Sequence, residues 1–323
     1  MDAIPLFDIG DRGPEALIDA APERFAGILD RAGRHYGAPA LRAGDMVSRR
    51  WLARTENPYG DEIARIAAAA ERPGAYLLNL SYEWFCTAAV GADPAGGGNR
   101  LLRTLDWPLD GLGRAVCVAK TKGFAGDYYN ITWPGFAGVA TVMAPGRFSA
   151  ALNQPPMRKR TPSSGLDWLI DRLKMRWAEG LPPVHLLRTV CDTCPSYAEA
   201  RRMLENEPIC MPALFTLAGA APGEGCVIER LERKAVSHEA PATIANHWLS
   251  VKLPGHDRGT DSHGRFRRME QIREREWNDF SWVASPILNE TTRVSVDANA
   301  GLGSLAVQGW EGGGPATEIF ILR

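Results

Sequence analysis

The chain has 323 residues, of which 45% are hydrophobic and 23% are charged, as is typical of a globular protein with one large core or two smaller ones. Because 37 Lys and Arg residues balance 38 Asp and Glu residues, no global field draws the chain onto nucleic acid or an anionic membrane. This charge balance fits a small neutral or amphiphilic substrate better.

The amino terminus and the cysteine content favour a reducing compartment. The first eight residues include two acids and no basic residue, unlike a secretory signal peptide. The sequence has no run of the roughly 18 apolar residues that suggest a membrane span. Six cysteines are too few for a disulfide-stabilised fold in a chain of this length, so we expect free thiols. These features predict a soluble cytoplasmic protein.

The first eighty residues are predicted to be mainly helical and to end in an extended segment. Apolar residues recur at helical spacing in residues 22–37 and again in residues 61–70. Pro73 and Gly74 stop the second helix. The apolar run at residues 75–80 predicts a buried strand, and residues 84–90 predict another.

The rest of the chain alternates blocks of strands with blocks of helices. Short strands are predicted at residues 101–106, 115–121, 128–133, 136–143 and 148–152. Helices are predicted at residues 167–178, 184–191 and 196–205, the last of which opens with the Ser-x-x-Glu spacing of a capping box. Strands return at residues 213–218, 226–231 and 243–250, followed by a charged helix at 263–277 and terminal strands near Arg293, Leu305 and Phe320. This order predicts a layered α+β sandwich.

Cys86 has neighbours in sequence that suit a reactive thiol. It lies in a predicted strand, and alternation along the next strand puts Arg103 and Leu105 on one face with Asp106 at the end. If the two strands pair as a hairpin through the glycine-rich loop at residues 91–99, the thiol, a guanidinium and a carboxylate meet. The cation would lower the thiol pKa, and the carboxylate could orient an exposed α-amino group that serves as the base. The alternative is a core cysteine near a surface ion pair.

Several blocks, in a fixed order, resemble the acid ceramidase and N-acylethanolamine acid amidase family. They are residues 80–90, 103–107, 133–139, 145–153, 223–230 and 245–248. A later block at residues 261–269 is closer to the penicillin acyltransferase branch. The resemblance runs from about Pro58 to the end of the chain, and ordered blocks are more specific than a single motif.

The resemblance implies an N-terminal-nucleophile (Ntn) hydrolase: a four-layer αββα sandwich of two antiparallel sheets, made as a precursor that cuts itself before its nucleophilic cysteine. The cut would fall between Phe85 and Cys86. It would separate a helical segment of residues 1–85, ending in a strand, from a catalytic domain of residues 86–323. No metal or organic cofactor is expected. The two fragments are expected to stay associated, and homo-oligomerisation is left open.

The same resemblance assigns roles to individual residues. Cys86 attacks the amide carbon, and its α-amino group carries the proton. Arg103 and Asp106 hold the thiolate and the amine in register. Asn246 donates its side-chain N–H to the developing oxyanion.

Two further positions bear on this assignment. Arg265 is expected to brace the carboxylate or the cleavage site, and Arg258, Arg267 and Arg268 are alternatives for that role because they lie close by in sequence. Gln154 stands where lysosomal members of the family tend to have the acid of a Leu-Asn-Glu-Arg sequence. Its amide is expected to slow self-cleavage or to remove an acid pH optimum.

Other cysteine and histidine patterns give weaker signals. Cys191 and Cys194 have the spacing of half a zinc site, but the sequence offers no second pair at a suitable spacing, so packing is the preferred interpretation. No His-x-x-x-His pair occurs on a predicted helix, which disfavours a metal hydrolase built from the late histidines. These are His238, His247, His256 and His263.

The sequence therefore predicts an autoprocessing cysteine amidase. It would hydrolyse a linear amide bond of an N-acyl, lipid-like substrate through an acyl-thioester on Cys86. Its partner would be that small molecule, with no nucleic acid and no stable membrane insertion. Two alternatives remain: an acyltransferase on the same scaffold, and a non-catalytic binding protein that keeps the fold.

Overall fold

The computed structural model describes residues 1–80, 84–175 and 177–323. Its helices are α1 (Ala16–Ala20), α2 (Pro22–Tyr36), α3 (Ala38–Arg54), α4 (Gly60–Ala70), α5 (Ala75–Leu80), α6 (Leu112–Ala115), α7 (Ser164–Met175), α8 (Pro183–Thr193), α9 (Tyr197–Asn206) and α10 (Ser262–Ile272). Its strands are β1 (Leu6–Gly10), β2 (Phe85–Ala92), β3 (Asn99–Asp106), β4 (Cys117–Gly123), β5 (Gly126–Thr132), β6 (Thr141–Ala144), β7 (Phe148–Asn153), β8 (Met157–Arg158), β9 (Ala213–Gly219), β10 (Gly225–Arg230), β11 (Ala235–Glu239), β12 (Ala242–Ile244), β13 (Gly255–His256), β14 (Thr292–Asn299), β15 (Ser304–Glu311), β16 (Gly314–Pro315) and β17 (Phe320–Leu322).

Two large sheets face each other. The eight-stranded sheet runs in the order β1-β4-β5-β6-β7-β9-β10-β11, and the second runs β12-β2-β3-β14-β15-β16, with β17 paired to β15. The strand pairs are antiparallel apart from the edge strand β1, which is parallel to β4. β2 and β3 pack against β7 and β9 of the opposite sheet. Helices α8 and α9 cover the outside of the eight-stranded sheet, while α10 covers β2 and β12. The four layers of the predicted αββα sandwich are thus confirmed.

Alternation along β2 divides its side chains between two cores. Cys86, Ala88 and Val90 belong to the large cluster between the sheets. Ala89 belongs to a separate cluster beneath α10, together with Met269. Because successive side chains on a strand point to opposite faces, residue 86 is directed into the space between the sheets and its neighbour is directed towards α10.

The amino-terminal segment contributes both helices and a strand. α2 and α4 place Phe25, Leu29 and Ile66 in one apolar cluster that also includes Ala137 and Cys210. The edge strand β1 was not predicted from the sequence, and neither was helix α3. Among the described residues, no helix is long and apolar enough to cross a membrane.

The predicted strand at residues 75–80 is wrong, because these residues form helix α5. An apolar run of six residues has no period that separates a buried strand from a buried helix. A carboxylate from α3 decides the outcome: Asp45 accepts from the N–H of Gly74 at 2.6 Å and from the N–H of Leu77 at 2.8 Å. These bonds satisfy donors at the amino end of the helix, where they have no partner within it.

Three other predicted elements are shorter in the structure. In the stretch predicted as a strand at 136–143, β6 begins only at Thr141, because the N–H of Ala137 donates to the side chain of Asn79 instead of a neighbouring strand. The strand predicted at 243–250 ends at Ile244, and the charged helix ends at Ile272. The helix with the predicted capping box begins as expected, since Ser196 Oγ accepts from the N–H of Glu199.

Candidate active site

Cys86 and Arg103 lie on the two strands of one hairpin. β2 and β3 pair antiparallel, with Cys86 opposite Leu105 and Ala88 opposite Arg103. Residues two apart on a strand share a face, so the thiol and the guanidinium both point between the sheets. The hairpin predicted from the glycine-rich loop is therefore confirmed.

The Arg103 guanidinium is fixed against the sulfur. Its Nη2 donates to Cys86 Sγ at 2.9 Å and to Leu152 O at 3.0 Å. Its Nη1 donates to Ala140 O at 2.8 Å and to the hydroxyl of Thr141. The three oxygen acceptors lie in or beside β6 and β7 of the opposite sheet, which holds the cation in one orientation against the thiol.

Asn246 continues the line of β12 past the end of that strand. β12 pairs with β2 so that Ile244 lies opposite Ala88, which brings residue 246 beside Cys86. The N–H of Cys86 donates to Asn246 Oδ1 at 3.0 Å, so a side chain replaces the bond that a longer strand would make. Asn246 Nδ2 donates to Gln154 O at 2.7 Å, and the same nitrogen carries a second hydrogen.

Arg265, near the start of α10, contacts the backbone around the predicted cleavage site. Its Nη1 donates to Cys86 O at 2.7 Å and to Thr87 Oγ1 at 2.9 Å. Its Nη2 donates to Asn246 Oδ1 at 2.9 Å. The side chain is fully buried, whereas Arg267 is exposed on the same helix. Of these two candidates, the structure brings Arg265 to the cysteine.

Asp106 lies at the end of β3, opposite Phe85 in the ladder. Its Oδ2 accepts from Asn289 Nδ2 at 3.0 Å and lies 3.9 Å from Arg265 Nη1. Its Oδ1 is buried and has no hydrogen-bond partner in the described part of the chain. Burial raises the pKa of this carboxyl group, and the nearby guanidinium of Arg265 opposes the shift. The carboxylate thus lies beside the residue that precedes the cysteine.

The thiol is enclosed in the uncut chain. Cys86 has 0% of its surface exposed, so no substrate reaches its sulfur in this state. Burial raises the pKa of the Cys86 thiol, and the Arg103 cation opposes that shift. Cys86, the predicted nucleophile, therefore contacts Arg103 and Asn246 but is inaccessible in this state.

Three residues at the site were missed as positioning groups. Thr87 accepts from Arg265 on the α10 face of β2. Asn289 donates to Asp106 from the loop before β14, and no motif in the sequence points to it. Gln154, noted only as a departure from the family, accepts from Asn246 through its backbone oxygen.

The alternative metal patterns gain no support from their surroundings. Cys191 and Cys194 are free thiols within the apolar core between and beside the sheets. His247 and His263 stack on each other with ring centroids 4.0 Å apart. Within residues 1–80, 84–175 and 177–323, no group of three or more His, Cys, Asp or Glu side chains could hold a metal ion.

Two facing sheets, helices on both outer faces and a cysteine at the start of an inner strand define a fold. The fold is that of the N-terminal-nucleophile hydrolases, as predicted. A solved structure of the Caenorhabditis elegans N-acylethanolamine-hydrolyzing acid amidase (NAAA) ortholog has this fold in common with the chain. Its TM-score is 0.52 at 20% identity, and the match covers 67% of this chain and 93% of that one.

In sequence, the chain is similar to acid ceramidase. The protein of that name from Balaenoptera acutorostrata scammoni is 29% identical over 200 residues, which are 54% of this chain and 47% of the relative. The Homo sapiens protein is 28% identical over 222 residues, covering 60% and 53%. The chain thus spans about half the length of these curated relatives. No family model matches it. The resemblance predicted from the ordered blocks is confirmed.

Proposed function

We propose that the protein is a self-processing amidase in which Cys86 becomes the amino terminus of the fragment 86–323 and attacks the carbonyl carbon of an N-acyl amide. The observation that carries this proposal is the convergence of three remote segments on one cysteine. Arg103 contacts its sulfur, Asn246 its nitrogen and Arg265 its carbonyl oxygen. A buried structural cysteine needs none of these polar neighbours.

Self-cleavage would begin with attack of the Cys86 sulfur on the carbonyl carbon of Phe85. The C–N bond breaks, the acyl group moves to sulfur, and the Cys86 nitrogen takes a proton to become an amine. Water then hydrolyses the thioester. The new amine would remain beside Asn246 Oδ1, which already accepts from that nitrogen at 3.0 Å. It could then act as the base for its own thiol.

Substrate hydrolysis would repeat this chemistry on an external amide. The α-amine accepts the thiol proton, the sulfur attacks the carbonyl carbon, and the leaving amine receives the proton as the C–N bond breaks. Water then releases the acid from the acyl-thioester. The second hydrogen of Asn246 Nδ2 is suited to the developing oxyanion, a contact whose removal costs about 3 kcal/mol in other amide hydrolases.

The arginines and the aspartate would position these reacting groups. Arg103 stabilises the thiolate against the effect of burial, and Arg265 fixes the carbonyl group of the residue that carries the reacting nitrogen through its bond to Cys86 O. Asp106 lies opposite Phe85, close to where the new amino group would form. The enclosed thiol fits an uncut precursor whose site opens to substrate only after the Phe85–Cys86 bond is cleaved.

Intact-mass measurement tests self-cleavage. The wild-type chain is expected to give fragments of residues 1–85 and 86–323, and Cys86→Ala is expected to stay whole. Cys117→Ala is the matched control, because Cys117 is equally buried and also lies 3.6 Å from a backbone carbonyl oxygen. A wild-type chain that stays whole at acidic and neutral pH would contradict the proposal and favour the alternative of a non-catalytic binding protein with the same fold.

Activity is tested on a panel of N-acyl amides with the matured enzyme. Release of the free acid supports hydrolysis, whereas transfer of the acyl group to an added amine at the expense of the acid would identify an acyltransferase. Association of the two fragments and a cytoplasmic location remain parts of this proposal, to be tested by gel filtration and by cell fractionation.

A further inference from the structure

A cavity of about 310 Å³ lies next to Gln154, the residue that contacts Asn246. Gln154 lines it, and the backbone oxygen of Gln154 accepts from Asn246 Nδ2 at 2.7 Å. Arg258 lines another part of the wall, and the next residue, Gly259, lies so close to Phe85 that a Cβ there would be 2.8 Å from the Phe85 ring. The cavity therefore adjoins both the oxyanion candidate and the predicted cleavage site. Its volume is that of a small-ligand site.

One polar group in the cavity wall lacks a partner. Gln154 is 1% exposed, and its Nε2 atom is buried with no hydrogen-bond partner in the described part of the chain. A buried amide N–H that has no partner is costly, because it has lost its hydrogen bonds to water without replacement. An acceptor on a bound molecule, such as an amide or carboxylate oxygen, would satisfy it.

The rest of the wall combines apolar and cationic side chains. Met157, Trp177, Ile209 and Met211 supply apolar surface, and Trp177 is 79% exposed, which places it at the mouth. The cavity wall includes five cationic residues and three carboxylates, and each carboxylate forms an ion pair of 2.7 Å or less with one arginine. Lys174 is exposed, and no described carboxylate lies within ion-pair distance of it. The cavity thus carries a positive charge that its own acids do not neutralise.

We propose that this cavity is the substrate site, and that it selects N-acyl amides bearing a carboxylate, such as N-acyl amino acids, over uncharged N-acyl amides. The proposal rests on the amidase function proposed above. The acyl chain would lie on the apolar wall, Gln154 Nε2 would donate to an oxygen of the substrate, and Lys174 would attract the carboxylate. The glutamine matters here because an acid at position 154 would repel such a substrate.

Binding to the intact Cys86→Ala chain tests this selectivity without cleavage or turnover, since the cavity exists in the uncut chain. Titration calorimetry with N-decanoylglycine and N-decanoylethanolamine compares an anionic amide with a neutral one of equal acyl length. We expect the glycine derivative to bind about tenfold more tightly at low salt, with a preference that shrinks as salt is added.

Second substitutions in the Cys86→Ala background assign the preference to the cavity. Lys174→Gln should weaken binding of the anionic amide about threefold and leave the neutral amide unchanged, as expected for an exposed ion pair. Lys122→Gln is the matched control, because Lys122 is an exposed lysine at a different surface hollow. Gln154→Glu keeps the shape of the side chain and should abolish the preference for the anion.

The outcomes separate this inference from the amidase proposal. Equal affinity for the two amides, a preference for the neutral one, or an equal effect of Lys122→Gln overturns the inference, even if the wild-type enzyme hydrolyses neutral amides. Selective binding of the anion that depends on Lys174 and Gln154 supports it. Failure of the matured wild-type chain to hydrolyse either amide would count against the amidase function instead.

Discussion

At the scale of single residues, the contact between Arg103 and Cys86 sets two effects against each other. Burial favours the neutral thiol, whereas a guanidinium 2.9 Å from the sulfur favours the thiolate. In the uncut chain burial is the larger effect, and the thiol pKa is raised. Once the site opens to water the burial penalty falls while the cation stays, so the same pair would then favour the reactive form.

We predict that Arg103→Gln moves the rising limb of the pH–rate profile to higher pH. Without the cation the thiol pKa is higher, so less thiolate is present at a given pH. The measurement is kcat/KM against pH for matured enzyme, and Arg103→Lys should restore part of the wild-type profile. Arg230→Gln is the control, since Arg230 is an equally buried arginine of the other sheet. An unshifted profile for Arg103→Gln would show that its charge does not act on the thiol.

Arg265 donates its hydrogen bonds to the backbone and side chains around Cys86 and not to the sulfur. Its substitution by Gln removes the guanidinium donors to Cys86 O, Thr87 Oγ1 and Asn246 Oδ1, of which Asn246 Oδ1 still accepts from the N–H of Cys86. We predict that Arg265→Gln slows self-cleavage at least about tenfold and lowers the free energy of unfolding by about 3 kcal/mol. Time-resolved intact mass and urea denaturation measure the two effects.

The matched variant is Arg267→Gln, two residues along the same helix and exposed. It should change neither the cleavage rate nor the stability, because its side chain is solvated. If Arg267→Gln slowed cleavage as much as Arg265→Gln, the assignment of the late arginine would be mistaken.

At the scale of elements, the loop before α10 packs closely against the predicted cleavage site. Gly259 has φ +67°, and a Cβ at that position would lie 2.8 Å from the Phe85 ring and 3.0 Å from Arg265 Nη2. Both the backbone conformation and the close contact therefore favour glycine. Displacement of either neighbour would shift the bond between Phe85 and Cys86 relative to the groups that hold it.

We predict that Gly259→Ala slows self-cleavage and destabilises the chain by about 1 kcal/mol more than Gly303→Ala does, because only its Cβ clashes. Gly303 has the same φ of +67°, but the nearest atom to a Cβ there is 4.0 Å away. The pair therefore separates backbone strain, which both variants share, from the clash, which only one has. Equal stability and equal cleavage rates for the two variants would rule out the contact as a factor.

The sequence predicts some elements better than others for physical reasons. The β2–β3 hairpin was predictable because alternation and a glycine-rich loop are local features of the sequence. The hairpin in turn predicted that Cys86 and Arg103 lie close together. Helix α5 was not predictable, since a carboxylate thirty residues earlier, Asp45, satisfies the start of that helix. No local pattern encodes such a contact.

The site residues that lie far from Cys86 in the sequence could not be predicted from local patterns either. Asn246 and Arg265 were assigned only by the resemblance, because their approach to Cys86 depends on the register of β12 and the placement of α10. The enclosed thiol and the unpartnered Nε2 of Gln154 are properties of packing, which no spacing in the sequence reveals.

At the scale of the whole molecule, the segment before the predicted cut is part of the fold. β1 pairs with β4 in the eight-stranded sheet, and the helices α2 and α4 share an apolar cluster with Ala137. Glu62 on α4 also forms a bidentate pair with Arg188 on α8, and both side chains are 11% exposed. Cleavage at one peptide bond would leave all of these contacts in place.

The pair of Glu62 and Arg188 gives the final prediction, that the cleaved fragments stay together and that this pair contributes to their association. Removing one partner of a buried ion pair leaves an uncompensated charge and costs about 3 kcal/mol. Glu62→Gln should therefore lower the urea concentration at which the cleaved fragments separate on gel filtration. Asp8→Asn is the control: its pair with Lys120 also joins the two fragments, but Asp8 is 65% exposed, so its loss should change little. Separation of the wild-type fragments without denaturant would contradict the prediction, because the sheet and helix contacts would then be too weak to hold the cut chain together.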